Sequence, residues 1–518
     1  MAENQDAPRD LTSTVVRGAS FATAGYVLAQ VLNLGFYIAL ARLLSPADFG
    51  EFAAATVLVA VSLMITESGL ASAVIQRRDR VDEAASTATV ATLISGTLFS
   101  ILALAGSPLV GDFFDSEHIA ALAAASAGTV FLRTSASISD ALLQRQFSFL
   151  RRLVVEPATV IAFGVAAVIA AANDLGAWSL VIGQYAGYTV DSVLSWLLVR
   201  WRPRLRQVSF GMWRELVSYG RHVMVGTAIR HAADPASNAI VARLLGTGAL
   251  GQFRYAIRLA STPHSLLLSA AAYVLFPAFS RIAEDMDRLR AAFLRSLRWV
   301  SVAAFPSGLV FVPLGVPLAV IIFGSQWREA GEALVAMALL PPGAGLAAVV
   351  EEALKAIGQP RHVVRINGLI TVVTLVAIVA LQPFGLAAAA AGLSIGAAVG
   401  GLYSLWLMHR VTAVSLRAML AEVWPPLLAA SLAAAGILAL EAYVVDAESH
   451  GTLGGGLLVV AEALAGAVLY LGLIRALAPE VSATLRQGAG TIMRRVARFR
   501  GPDPDAPDPE PLDQTLAP

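Results

Sequence analysis

The 518 residues contain no cysteine, and Lys355 is the only lysine. The first absence excludes disulfides, thiolate chemistry and cysteine-based zinc sites. The second leaves basic charge to arginine, which together with heavy alanine usage reads as coding bias, not function. Charge of either sign is scarce. Charged residues make up 14% of the chain and the net charge is +1, against roughly 25% charged residues in a soluble domain. Bulk charge therefore points to no nucleic-acid partner. Long polar loops are missing too, so there is no room between apolar runs for a folded catalytic domain. A P-loop, H-E-x-x-H, G-x-S-x-G and a strand-borne G-x-G-x-x-G are all absent. Neither an enzyme nor a resident cofactor or metal is expected, and coupling to a proton or sodium gradient is left open.

Long apolar runs are what remains. Hydrophobic residues make up 57% of the chain, and mean hydropathy is +0.70. A bilayer-spanning helix needs about 20 mostly apolar residues. That rule places spans near 17–43, 50–74, 84–110, 117–140, 153–173, 176–199, 216–241, 248–275, 292–323, 330–352, 363–383, 385–408, 422–444 and 453–476. The expected fold is all-α and polytopic, with about fourteen transmembrane helices. The first run is too long for a secretory signal, although Ala39-Leu40-Ala41 imitates a cleavage site. Pro306, Pro313 and Pro317 predict a broken ninth span, and Pro341-Pro342 weaken the tenth. With a cytoplasmic N-terminus, inner loops collect Arg77, Arg78 and Arg80, then Arg145, Arg151 and Arg152, then Arg200 to Arg214, and so on through Arg410 and Arg417. Opposite loops such as Gly111–Glu117, Asn173–Gly176 and Asp446–Ser449 are nearly free of basic residues, with Arg328, Arg42 and Arg243 as exceptions. The alternation satisfies the positive-inside rule with an even span count and both termini inside. Trp178, Trp196, Trp201, Trp213, Trp327 and Trp424 fall near span ends, as in an interfacial belt. Residues 480–500 read as a basic segment lying on the inner leaflet, and the Pro- and Asp-rich tail beyond as disordered.

An internal repeat organises the chain. Ala41–Phe52 and Ala242–Phe253 match at six of twelve positions without a gap. Both sit in outer turns, separated by an even number of spans, so the repeats run parallel. The expected division is a cytoplasmic 1–16, a lobe of helices 1–6 over 17–215, a second of helices 7–12 over 216–410, helices 13–14 over 411–476, and a basic segment with acidic tail over 477–518. Ionisable residues at membrane depth are costly and mark cavities or partners. Span 7 carries Arg230, His231, Asp234 and Asn238, with Arg230, Asp234 and Asn238 on one helical face. Span 8 carries Arg254 and Arg258. The offset of 201 pairs Gln30 with His231, Asn33 with Asp234 and Tyr37 with Asn238. Two related polar stripes at matching depth suggest a shared cavity between the lobes. Arg133 and Glu67 are further candidates. The bland alternatives are that Arg230 and Asp234 neutralise each other within one helix and that Arg254 snorkels to the outer interface.

The chain resembles the polysaccharide transport, or lipid-linked oligosaccharide flippase, family of the MOP transporter superfamily. The stretches that carry the resemblance are Ala41–Gly50, Glu67–Arg77, Leu142–Phe149, Leu175–Val181, Asp234–Gly246, Phe276–Arg281 and Phe323–Trp327. Phe253-Arg254-Tyr255 and Asp234-Pro235 depart from the family pattern. The resemblance implies a flippase moving undecaprenyl-pyrophosphate-linked sugar repeat units across the bacterial inner membrane, working beside polysaccharide polymerase and export machinery. Arg230, Arg258 and Arg133 would contact the head group, with His231, Asn238, Asn33 and Gln30 lining the cavity. Asp234 and Glu67 would couple to an ion. The competing expectations are a cation-coupled antiporter of drugs or metabolites and a membrane-bound polysaccharide polymerase or ligase.

Overall fold

The computed structural model describes Gly25 and residues 28–479, apart from 68, 78, 146–150, 200 and 232. The side chains at 67, 151–152, 221–231 and 263–274 lie outside that description. The start of the first expected span, the basic segment at 480–500 and the acidic tail fall outside it as well.

Among the described residues the chain is helical throughout, with no strand. Its first half runs α1 (Leu28–Leu43), α2 (Pro46–Ala55), α3 (Val57–Glu67), α4 (Leu70–Gln76), α5 (Val81–Ala105), α6 (Ser107–Phe114), α7 (Glu117–Ser126), α8 (Gly128–Arg145), α9 (Glu156–Ala171) and α10 (Trp178–Leu198). Its second half runs α11 (Phe210–His231), α12 (Ala233–Leu245), α13 (Thr247–Ser280), α14 (Met286–Leu309), α15 (Phe311–Phe323), α16 (Arg328–Ala336), α17 (Leu340–Ala356), α18 (Pro360–Leu381), α19 (Leu386–Thr412), α20 (Leu416–Leu440) and α21 (Gly451–Leu477). Every expected span falls on one of these helices or on a short run of them. Eight helical stretches are long and apolar enough to cross a membrane, and eleven if each bent pair counts as one. The three expected spans outside that set lie on α10, α11–α12 and α13. They carry Gln184 and Asp191, Arg230 and Asp234, and Arg254 and Arg258. On α11 and α13 the side chains at 221–231 and 263–274 lie outside the described residues and so outside that count.

The breaks have local causes. Ser45 ends α1 and starts α2 by a capping box: its Oγ accepts from the Asp48 N–H at 3.3 Å, and the Asp48 carboxylate takes the Ser45 N–H at 2.8 Å. Pro46 occupies the first helical position, where its missing N–H costs nothing. The two axes meet at 115°. The expected break in the ninth span lies between α14 and α15, a bend of 51° with Pro306 before it and Pro313 after it. The tenth span bends by 42° between α16 and α17, with Pro341-Pro342 opening the second piece.

Apolar side chains point outward as well as inward. Ile94, Leu98 and Ile101 on α5 and Leu457, Leu464 and Val468 on α21 are all exposed. Faces of this kind are unstable in water and comfortable in lipid. This is a multi-pass membrane protein. In the first half, α8 packs on α5 and α10, and α9 on α10. In the second, α17 and α18 pack on α19, and α14 on α17. The halves meet where α13 lies on α2 and where α11 crosses α3 and α4. The last two helices lean on the kinked pair, α20 on α14 and α21 on α15.

Candidate functional site: a sealed face above a polar cleft

The two copies of the repeated turn pack against each other. A Cβ at Gly50 would stand 1.7 Å from the Thr247 carbonyl oxygen, and one at Gly251 would stand 1.9 Å from that of Pro46. The 201-residue offset converts Gly50 to Gly251 and Pro46 to Thr247. The two contacts are thus one contact seen from either repeat, the mark of a local two-fold axis. Only glycine permits backbones this close.

The arginine of each Ala-Arg-Leu-Leu copy reaches across to the other half. The Arg42 guanidinium donates to the carbonyls of Ile321 at 2.8 Å and Ile322 at 3.1 Å. Arg243 pairs with Asp115 at 2.5 Å. These equivalent residues were exceptions to the charge pattern of the loops, and their cross-links account for them. A second layer grips the turn: Gln326 Nε2 donates to the Ala41 oxygen at 2.8 Å, and Trp327 Nε1 to the same oxygen at 2.9 Å. Gln252 closes the ring, donating to the Gln326 oxygen at 2.6 Å and accepting from the Ala330 N–H at 2.9 Å. Around them Phe49, Tyr255, Phe323 and Trp327 pack edge to face or tilted, with centroids 4.0 to 6.1 Å apart. All four are buried. This face is closed by dry aromatic packing.

The environment changes within one turn of helix. Tyr255 Oη donates to the Tyr37 oxygen at 3.2 Å. On the far side of Tyr37 the Arg258 guanidinium carbon stands 3.3 Å from the ring centroid, and its Nη2 donates to Asn33 Oδ1. Such stacking favours arginine and holds the guanidinium plane fixed. Arg254, one turn along the same face of α13, is exposed and lies within electrostatic range of Tyr37, Arg258 and Asp234. Asp234 and Gln30 are exposed, and Asn33, Asn238 and Arg258 are half-buried. These polar groups on α1, α12 and α13 are open to solvent, and at membrane depth such groups call for water or a polar guest.

Residues 39–332 match the family model described as "Polysaccharide biosynthesis protein", a stretch that contains both turns, the aromatic seal and the arginines of α13. The chain belongs to that family. Among its relatives in this family, the lipopolysaccharide biosynthesis protein WzxC of Escherichia coli K12 is 24% identical over 325 residues, covering 62% of this chain and 65% of that protein. The succinoglycan biosynthesis transport protein ExoT of Rhizobium meliloti is 29% identical, covering 58% and 60%. The match thus spans under two thirds of either. The teichuronic acid biosynthesis protein TuaB of Bacillus subtilis is 22% identical over 92% of this chain and 99% of its own length. In three dimensions the chain is similar to the lipid II flippase MurJ in an inward closed conformation, with TM-score 0.72, 14% identity, and coverage of 89% and 99%. It is also similar to an inward-facing MATE transporter of the MOP superfamily, with TM-score 0.56, 16% identity, and coverage of 77% and 98%. The fold is that of a MurJ- and MATE-like membrane transporter.

The family stretches converge in space. Ala41–Gly50, Leu175–Val181, Asp234–Gly246 and Phe323–Trp327 meet at the sealed face, where Gly176 stands against Asp48. Glu67–Arg77 and the described part of Leu142–Phe149 meet at the opposite face, where Arg145 donates to the last carbonyls of α4, including that of Ile75 at 3.0 Å. Of the predicted cavity residues, Asn33 and Arg258 are brought into direct contact, and Asp234 lies near Arg254. Arg230, His231 and Glu67 have side chains outside the described residues. Arg133 is held elsewhere, between Asp191 at 2.7 Å and Asp140 at 3.4 Å, with Ser195 donating to Asp140 at 2.7 Å. That cluster joins α8 to α10. Sequence reasoning missed the seal. The available signal was the repeat itself, since the glycine that both copies share is where they touch.

Proposed function

We propose that this protein is a flippase that carries undecaprenyl-pyrophosphate-linked oligosaccharide repeat units from the cytoplasmic to the outer leaflet of the bacterial inner membrane. The observation that carries the reading is a pair of arginines, Arg254 and Arg258, one turn apart on α13 beside the face where the two repeats pack together. A pyrophosphate-sugar head cannot cross hydrocarbon unaided. The Arg258 guanidinium, held by Tyr37 and Asn33, and that of Arg254 one turn away offer it charge and paired donors. The polyprenyl tail stays in lipid. Gln30, Asn33 and Asn238 supply hydrogen bonds to sugar hydroxyls, and the sequence nominates Arg230 and His231 for the same role. Asp234, close to Arg254, is the residue through which a proton or sodium ion would compete with substrate, and Glu67 is the second candidate.

The cycle we infer is alternating access by two lobes, 17–215 and 216–410, rocking about the local two-fold axis. Both termini lie in the cytoplasm, and the sealed face looks outward. Opening it separates Gly50 from Thr247 and Gly251 from Pro46 together, while the cleft closes on the arginine-rich side. Delivery to a polymerase follows release, and no bond in the substrate is made or broken by this chain.

The test is complementation of a strain whose resident repeat-unit transporter has been deleted. The wild-type chain restores surface polymer, and Arg258→Ala does not, at equal membrane abundance. Unimpaired export by the variant removes Arg258 from the mechanism. Drug efflux without polymer export replaces the flippase reading with an antiporter.

A further inference from the structure

On α21 a carboxylate lies buried in lipid-spanning structure, and the polar group beside it is a second carboxylate. Glu462 sits mid-helix on α21 and is 2% exposed. Among the described residues no hydrogen-bond donor reaches either of its oxygens. The Glu441 carboxylate lies alongside it. Glu441 opens the π-helical turn Glu441–Val445 and accepts the Ala447 N–H at 3.1 Å. The cations of this region are committed or distant. Arg328 pairs with Glu448, His450 bonds within its own turn to Asp446 and Ser449, and Arg475 lies 13 residues along α21, about 20 Å away. Two carboxylates side by side at this depth call for one positive charge.

Glu462 faces a cavity of about 170 Å³ between α14–α15, α20 and α21. The wall is apolar and smooth: Pro306, Pro313, Ala433, Ile437, Gly466 and Ala467 among others. Pro306 and Pro313, which flank the bend of the kinked helix, both line this slot. Tyr470, the other polar residue of the lining, gives its hydroxyl proton to the Val302 carbonyl at 2.8 Å. A bare metal cation would need about six oxygen ligands to replace its water, and no group of three acidic or histidine side chains is present among the described residues. A proton would answer the charge and leave the slot unexplained. An organic ammonium answers both, since it needs few acceptors and brings its own apolar body.

We propose that this slot binds an ammonium-headed amphiphile, its cationic head at Glu462 and Glu441 and its alkyl chain along the alanine, proline and glycine wall. The site is separate from the cleft and does not depend on the flippase reading. The full chain in phosphatidylcholine nanodiscs is titrated with tritiated dodecylammonium and, in parallel, with dodecanol. The expected result is saturable binding of the ammonium at least about tenfold tighter than the alcohol. Glu462→Gln removes that preference, and Ala467→Phe, which fills the slot, weakens both probes. The wild-type comparison of the two probes needs no variant, so it survives if either substitution fails to fold. Equal binding of ammonium and alcohol overturns the proposal. Binding unchanged by Glu462→Gln also overturns it, and so does the absence of saturable binding, which would leave the pair holding a proton alone.

Discussion

Arg258 shows how one side chain is prepared for a charged guest. Its guanidinium lies flat on Tyr37 and is tethered to Asn33, both on α1, while the residue remains half-buried and open to the cleft. Lysine keeps the charge and loses the plane, the stack and the forked donors. Arg258→Lys should therefore restore polymer export only in part, between wild type and Arg258→Ala, in a complementation assay that quantifies surface polymer. Trp327 is the corresponding residue for stability. It is fully buried and donates to the Ala41 carbonyl at 2.9 Å. Trp327→Phe keeps most of the packing and leaves that carbonyl with Gln326 as its remaining partner. The expected cost is about 1 kcal/mol, read as a lowered midpoint of thermal unfolding in detergent. Trp327→Ala removes the packing as well and should cost about 3–5 kcal/mol.

Among the elements, the decisive pair is α2 and α13, because their contact is made twice by symmetry. A Cβ at Gly50 or Gly251 would run into a backbone carbonyl, and neither helix can move aside without dragging its lobe. Either Gly50→Ala or Gly251→Ala should therefore disfavour the sealed state, and the double variant should add little, since both substitutions oppose one movement. The chain has no native cysteine, so a single Tyr255→Cys reports on the seal cleanly. Its reaction with a membrane-impermeant maleimide should be slow alone and faster beside either alanine. Equal rates would mean that the glycines do not govern closure. The kinked pair α14–α15 follows a different logic: Pro306 and Pro313 flank its 51° bend, and both line the slot beside Glu462.

For the whole molecule, topology can be measured with the same cysteine-free background. Single cysteines introduced at Asn173 and Ser449 should label from outside intact cells, and ones at Arg204 and Arg288 only after permeabilisation. Reversal of that pattern would invert the proposed direction of transport. The helical segments were legible from hydropathy, because burial in lipid demands about 20 consecutive apolar residues and that demand is written along the chain. The breaks at Pro306 and Pro341-Pro342 were legible for the same local reason. Arg133 was not: its ligands stand 7 and 58 residues away on two helices, and no linear pattern says which way a guanidinium turns. Nor did the repeat alone reveal that its copies touch, with Gly50 meeting Thr247 and Arg42 reaching Ile321. Composition and period determined by themselves that this chain is a bundle of membrane helices, since solvation acts on each segment separately. Which charges are paired and how the two copies of the repeated turn close on each other were decided only by packing, because those depend on distances between residues that the chain keeps far apart.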